Sequence, residues 1–412
     1  MREGTMITYP EALNLLLADV PLAKTETVNL EHSLARTCAK SIFSTEAMPS
    51  FANSAMDGFA VQTKAVADCS AEKPVYLNVI ATIAAGDAIS HTPSCAFDTC
   101  EIMTGAIVPN GFDAVIPIEA IKIIDSNRIE INQIMKPGQN IRYPGEDFQI
   151  NDLVLSKGQT IEPKHIMILA SLGITEIEVY KPIKVVILST GNELVSIDEK
   201  QLKLGQIRHS NGIYAEHLIK SLGYDATFIG CFADDFDLVK SEISKIVNSE
   251  NKPDVIITTG AVSAGKWDFI PNLLRELHAE ILFHKVAIRP GKPILAAKLS
   301  HDIYFLGLPG NPVSTAVGLR FFAIPLLGKL SNKPCDKIIS AKLKSSIQKK
   351  HDLHTFYKAY FEINSEGECT VDILSGQESF KMQPLLAANC WAILQEQKDY
   401  QQHELVKVYI GV

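Results

Sequence analysis

Apolar and polar positions alternate with different periods along the chain, and the changes of period mark its elements. Residues 8 to 40 read as helical, because Thr8 can cap, Pro10 suits a first turn, and Leu13, Leu16 and Leu17 recur on one face. From about Pro49 to Glu146 the pattern shortens to β-type runs. Residues 121–124 and 129–131 flank Asp125-Ser126-Asn127 as the arms of a hairpin would. Helical spacing returns over 166–172, with Gly173 as a cap, before the apolar run 177–180 and a boundary at Lys181-Pro182.

From 183 to about 330 strand-like and helix-like stretches alternate. The segment opens on Val185-Val186-Ile187-Leu188, the uninterrupted apolar run of a buried parallel strand. A helix over 212–222 carries Tyr214, Leu218 and Leu222 at four-residue intervals and ends at Gly223. Another follows Asp235 with Val239, Ile243, Ile246 and Val247 on one face, and 254–258 has the composition of the next buried strand. Sheets of this βαβ kind bind ligands beyond the carboxyl ends of their strands, so chemistry is expected in the loops starting at Thr190, Thr259 and Leu308. Past Asn332-Lys333-Pro334 the pattern is β-rich again, with runs 357–363 and 370–374 separated by Ser365-Glu366-Gly367, which predicts a small C-terminal domain.

At 412 residues the chain exceeds what one core serves, so two to four domains are expected. With 46% hydrophobic and 21% charged residues it lies far from the disordered class. A net charge of -8 gives no global attraction to nucleic acid or to an anionic membrane, so a bound anion must meet local donors. Apolar runs such as 183–188 fall well short of the roughly 20 residues that cross a bilayer, and no span is expected. The N-terminal stretch lacks secretory signal features, because Thr8-Tyr9-Pro10-Glu11 interrupts it with helix-start chemistry. The eight cysteines are scattered, and Cys95 with Cys100 lacks the second pair of a zinc site; free thiols and a cytoplasmic location are expected.

Several short motifs offer chemistry. Thr190-Gly191-Asn192-Glu193 follows a buried strand and brings small residues and a carboxylate to its end. Residues 258–268, with Gly260, Ser263 and Gly265, form a Gly/Ser loop whose amides would point toward an anion; Asp268 is either a functional carboxylate or the cap of a helix carrying Ile270, Leu273 and Leu277. Pro309-Gly310-Asn311-Pro312-Val313-Ser314 is a third such bend, in which Asn311 can cap and Pro312 suits a first turn. Arg289-Pro290-Gly291-Lys292-Pro293 holds two cations suited to an oxyanion. Asp234-Asp235 is either a pair of Mg²⁺-type ligands or a helix N-terminal charge pair. In the β-rich stretch, Asp57-Gly58 is a turn signal and Thr104-Gly105 a bend, while Arg142 and Gly145-Glu146-Asp147 close the unit.

Together these segments resemble the molybdopterin molybdenumtransferase family, whose animal relative is the gephyrin E domain. The matching stretches are 53–61, 103–119, 142–148, 189–195, 258–268, and 290–293 with 306–314, and the resemblance covers nearly the whole chain. It implies an α/β multidomain fold. An elongated discontinuous domain (1–48 and 147–181) carries a β-rich insert (49–146), followed by a MogA-like α/β molybdopterin-binding domain (182–330) and a C-terminal β-barrel (331–412). It implies a homodimer with the active cleft between subunits, and as partners a molybdopterin adenylyltransferase and recipient molybdoenzymes. The implied reaction uses Mg²⁺, takes adenylylated molybdopterin and molybdate as substrates, and releases AMP.

By the same resemblance Asp57, Thr104, Asp147, Glu193 and Asp268 are the catalytic set, and Glu193, Asp234, Asp235 and Asp268 the metal set. Thr190, Gly191, Asn211, Gly260, Ser263, Gly265, Arg289, Lys292, Pro309, Gly310, Asn311, Pro312 and Ser314 are the implied cofactor-binding residues. The chain departs from the family pattern at Ala52, Asn192 and His209, each in place of an acid, and at Ala261 in place of a glycine. In the C-terminal region Ser375-Gly376-Gln377-Glu378-Ser379 retains part of a Gly/Ser-rich signature. The departures leave two other readings open: a weakened pterin-binding or scaffold protein, and a hydrolase of another adenylylated substrate.

Overall fold

The apolar run predicted as a buried strand is Lys184–Thr190, the organising strand of a six-stranded sheet. In the computed structural model, which describes residues 6–88, 91–262, 269–299, 303–334, 338–395 and 397–411, it lies between two parallel strands, Asp225–Phe232 and Val255–Thr259. Tyr304–Leu308 adds a fourth parallel strand beside Val255–Thr259. Leu295–Lys298 and Glu280–His284 then finish the sheet antiparallel, a departure from the all-parallel βαβ pattern. The reason is local. Ten residues, including two prolines and a positive-φ Gly291, join those two strands as a return loop rather than a crossover helix.

Both faces of this sheet are covered, which is why its strands read as continuous apolar runs. Val185, Ile187, Val255, Ile257, Tyr304 and Leu306 share one core with Tyr9, Leu16, Ala215, Ile219, Val317 and Phe321. Leu188, Ile256 and Phe305 pack on the other face with Val239, Ile243, Leu273 and Leu274. Each such aliphatic side chain contributes about 1.5–3 kcal/mol relative to exposure. On helix Asn211–Ser221 the fully buried positions are Gly212, Ala215 and Ile219; Tyr214, Leu218 and Leu222 pack at the margin of that core.

The N-terminal helix spans only Tyr9–Leu17, not residues 8 to 40. A capping box starts it: Glu11 N donates to Thr8 Oγ1, and Thr8 N donates to Glu11 Oε2 at 2.8 Å. It stops because Ala18 is extended, Asp19 has a φ of 49°, and Pro21 lacks an amide. Thr25–Asn29, rich in β-branched residues, instead pairs antiparallel with Glu176–Tyr180.

The stretch Pro312–Leu330 is helical, long and apolar enough to cross a bilayer, against the expectation that none would be. Its apolar window is 78% buried, so it serves as a core helix, with a π-helical turn at Leu319–Ala323. Phe321 stacks on Phe356 at 4.0 Å and joins it to the C-terminal domain. There His354–Ile363, Cys369–Ile373, Ile338–Leu343, Leu405–Ile410 and Cys390–Leu394 pair in a closed ring, the expected β-barrel.

These elements form one of two compact units, 1–40, 157–162 and 176–412; the other comprises 41–156 and 163–175. The second unit holds a six-stranded sheet, ordered 114–117, 58–61, 98–102, 75–83, 128–131 and 122–125. The last two strands are the predicted hairpin, and Asn127 N donates to Asp125 Oδ1 across its turn. Helix Pro163–Ser171 is followed by Gly173 at φ 69°, as expected of a cap. The seven described cysteines are free; Cys335 lies outside the described residues.

Candidate active site

The chain order reverses beside Lys184–Thr190: the next strand, Asp225–Phe232, lies on one side and the following one, Val255–Thr259, on the other. Ligands of open α/β sheets bind at such a switch point, beyond the strand ends. A cleft of about 530 Å³ opens there, lined by Ser189 and Thr190, by Thr259, and by Gly310, Asn311 and Pro312. The three bends expected to carry chemistry thus meet around one cavity.

Close backbone approach brings them together. Ser189 Oγ and Thr259 Oγ1 share a buried hydrogen bond of 2.9 Å. Gly260 N donates to Leu308 O at 2.9 Å, and Gly191 N to Phe232 O at 3.2 Å. These two amides therefore hold the rim together rather than point at an anion. Gly260 has a φ of 102°, and a Cβ there would lie 2.3 Å from Thr190 O, so only glycine fits. A Cβ on Gly191 would lie 2.8 Å from Glu193 Oε1; its absence lets that carboxylate fold back over the bend. Ala261, the residue in place of a glycine, has a φ of 51°, so the loop is strained there by roughly 1–2 kcal/mol.

The third bend is held from both ends. Asn211 Nδ2 donates to Gly310 O at 2.8 Å, and Thr315 Oγ1 to Pro309 O at 2.7 Å. Asn311 occupies the cap position with Pro312 in the first turn, but its side chain makes no capping bond. Ser314 is buried behind it.

The donors left for a ligand are side chains. Thr190 Oγ1 and His209 Nδ1 are buried without a hydrogen-bond partner among the described residues, and both residues line the cleft. Such orphaned atoms are expensive unless something else satisfies them. His209 leans on Phe228, with ring centroids 5.3 Å apart. Glu193 supplies a carboxylate at the mouth, and Arg208 a guanidinium whose Nε donates to Glu199 O at 3.0 Å.

Other expected residues are placed differently. Asp235 Oδ1 accepts from Leu238 N at 2.9 Å and caps the helix Phe236–Val247. Asn192 N donates to Asp234 Oδ2 at 3.4 Å, and Asp234 N to Asn192 Oδ1 at 3.1 Å, tying two loops together. Arg289 and Lys292 sit at the same end of the sheet, in the return loop after Glu280–His284. That strand lies two places beyond Tyr304–Leu308, roughly 10 Å across the sheet. They are not among the described lining residues, and the Arg289 guanidinium meets His351 Nε2. Ser263, Gly265 and Asp268 lie outside the described residues; the helix after them is Ile270–Glu276, with Phe269 in its cap position. Among the described residues no three His, Cys, Asp or Glu side chains converge as a metal-binding group.

The second unit has a cleft of its own, about 450 Å³, lined by Met48, Pro49, Asn53, Arg142, Glu146 and Asp147. Asp57 and Thr104 pair with each other: Asp57 Oδ1 accepts from Thr104 N at 2.7 Å and from its Oγ1 at 2.8 Å. Those bonds, the amide's first, hold the exposed Asp57 carboxyl below its ordinary range. Gly58 is obligatory because a Cβ there would lie 1.9 Å from Ile116 O of the neighbouring strand.

Sequence reasoning missed Phe380, which lines the α/β cleft from the barrel's 374–382 loop and is 63% exposed. An aromatic residue next to a Gly/Ser-rich turn was the available signal.

The comparisons with known proteins agree with this architecture. Residues 7–173 match the model of the MoeA N-terminal region (domain I and II), and residues 186–329 that of the probable molybdopterin binding domain. A molybdopterin molybdenumtransferase of Synechococcus elongatus is 35% identical over 399 residues, covering 96% of this chain and 97% of that protein. One of Haemophilus influenzae is 34% identical, covering 95% of each. The crystal structure of the molybdopterin biosynthesis moeA protein from Pyrococcus horikoshii superposes with a TM-score of 0.84 at 27% identity, over 98% of this chain and 100% of that one. By full-length identity, by matched domains and by fold, the chain belongs to the molybdopterin molybdenumtransferase family.

Proposed function

We propose that the chain is a molybdopterin molybdenumtransferase. It takes adenylylated molybdopterin and molybdate, cleaves the adenylyl phosphoanhydride with one water to release AMP, and joins molybdenum to the two pterin dithiolene sulfurs as one molybdate oxygen leaves as water with the two thiol protons. The observation that carries this reading is the meeting of three bends around one 530 Å³ cleft at the sheet's switch point, with two buried polar atoms left unpartnered. In this reading Thr190 Oγ1 and His209 Nδ1 bond the substrate, Asn211 fixes the Gly310 carbonyl, and Arg208 attracts phosphate.

The donor chemistry suits Mg²⁺ in part. Glu193 lines the cleft and is a hard oxygen donor of the kind that, with phosphate oxygens and waters, completes a Mg²⁺ shell. Asp268, outside the described residues, is the second ligand we infer, and Asp234 a third; Asp235 already serves one oxygen to a helix cap. Bound there, Mg²⁺ would neutralise charge on the phosphoanhydride. Ser263, Gly265 and Ser314 contribute to binding of phosphate or molybdate, Arg289 and Lys292 add positive charge from the same end of the sheet, and Asp57, Thr104 and Asp147 stay in the proposed catalytic set. We infer a homodimer of four-domain subunits, working in the cytoplasm.

A binding protein without turnover is favoured by two separate departures, the strained Ala261 and an unpartnered His209 where the family pattern has an acid. Incubation with adenylylated molybdopterin, Mg²⁺ and molybdate decides between them. Molybdate-stimulated AMP release is expected, and binding without it would leave the scaffold reading standing. AMP release from unrelated adenylylated compounds, independent of molybdate, would indicate the hydrolase instead.

A further inference from the structure

The barrel loop that reaches the cleft is held by a buried cation. Lys358, on strand His354–Ile363, has no exposed surface, an uncommon state for lysine unless it is fully bonded. Its Nζ donates to Gly376 O at 2.7 Å, Lys381 O at 2.9 Å and Glu378 O at 3.4 Å. Gln377 locks the same point from the loop side: its Oε1 accepts from Lys358 N at 3.0 Å, and its Nε2 donates to Lys358 O at 2.8 Å. At the far edge Ser379 O accepts from Val313 N, in the first turn after the third bend, at 3.1 Å. Phe380 therefore sits between two pinned neighbours, Ser379 and Lys381.

Its ring is 63% exposed and yet lines the cleft beside Asn311 and Pro312. It is the one phenyl ring among the described lining residues, whose other members are mostly hydroxyls, amides and charged groups. A rigidly presented phenyl face in a cleft that also holds Leu194 and Ile207 leaves apolar surface in water until a flat ring covers it. We propose that Phe380 is the stacking platform for the planar heteroaromatic ring of the substrate, its pterin or its adenine, and that Lys358 is the positioning residue that presents it. The inference rests on the substrate reading above and adds a contact that none of the sheet-rim bends supplies.

Binding of 6-hydroxymethylpterin, of AMP and of inorganic phosphate to the full chain tests it. Phe380→Ala is expected to weaken one of the two ring-bearing probes about tenfold, to leave phosphate unchanged, and to be rescued by Phe380→Trp. The probe affected identifies the ring. Lys358→Met is expected to cause the same loss, and the double variant no more than either alone. Should Lys358→Met fail to fold, Gln377→Ala takes its place with the same expectations. Unchanged affinity of Phe380→Ala for both ring-bearing probes overturns the stacking role, and additive losses overturn the positioning role. If the wild-type chain bound neither probe, the substrate reading itself would fall, a result distinct from either.

Discussion

The rim of the α/β sheet and the acidic turns of the second unit handle buried polar atoms in opposite ways. In the second unit, Asp98 is 4% exposed and its carboxylate accepts from Ser94 N, Ser94 Oγ, Cys95 N and Cys95 Sγ, at 2.7 to 3.2 Å. Those bonds, the Ser94 hydroxyl's first, hold it at about 2. At the rim, Thr190 Oγ1 and His209 Nδ1 are just as hidden and have no partner among the described residues. A saturated group stabilises its own fold. An orphaned one lowers stability until a ligand arrives, and strain at Ala261 adds to the same side. Orphaned atoms also occur away from the cleft, at Thr370 Oγ1 and Trp391 Nε1 of the barrel, so it is the place of Thr190 and His209 on the cleft wall, together with the missing partner, that assigns them to a ligand.

The largest effect expected is at Gly260. Gly260→Ala puts a Cβ against Thr190 O at positive φ and should destabilise the chain by about 3 kcal/mol or more in urea unfolding. An unchanged midpoint would mean that the bends need no such close approach. Glu193→Gln should leave stability within about 0.5 kcal/mol and slow molybdate-dependent AMP release on the order of a hundredfold; equal rates would remove Glu193 from the chemistry.

Asp98→Asn should cost about 1–3 kcal/mol at neutral pH with no change in turnover. The sign follows from a depressed carboxyl. Its stabilisation is fully present above the unfolded value near 3.9 and disappears as pH falls through about 2, so wild type and variant should converge in that window. Parallel curves with a constant gap would show that the charge is irrelevant. The smallest expected change is a gain: Ala261→Gly relieves the φ of 51° and should stabilise by up to about 1 kcal/mol.

Much of this contrast was legible in the sequence. Apolar runs that stop at Thr190, Thr259 and Leu308, each followed by Gly, Pro or Asn, locate the rim because buried parallel strands must end in turns at one edge. The strain at Ala261 was foreseeable from an alanine where a glycine is usual. Other features depend on tertiary pairing. The helix expected over 8 to 40 rested on Leu13, Leu16 and Leu17, but beyond Leu17 Thr25–Asn29 pairs as a strand with the distant Glu176–Tyr180. Arg289 and Lys292 read like cleft cations, yet an antiparallel return loop sets them two strands aside. Phe380 belongs to the barrel, and it lines a cleft of the α/β domain because Lys358 fixes its loop from the barrel side and Val313 N holds Ser379 O from the other.

The central claim is that the orphaned rim hydroxyl exists for the substrate. Thr190→Val removes it while keeping shape, and the dissociation constant for adenylylated molybdopterin, measured alongside the unfolding midpoint, tests that claim directly. The account predicts binding about tenfold weaker with stability unchanged or slightly raised. Undiminished affinity in a chain of equal stability would contradict it.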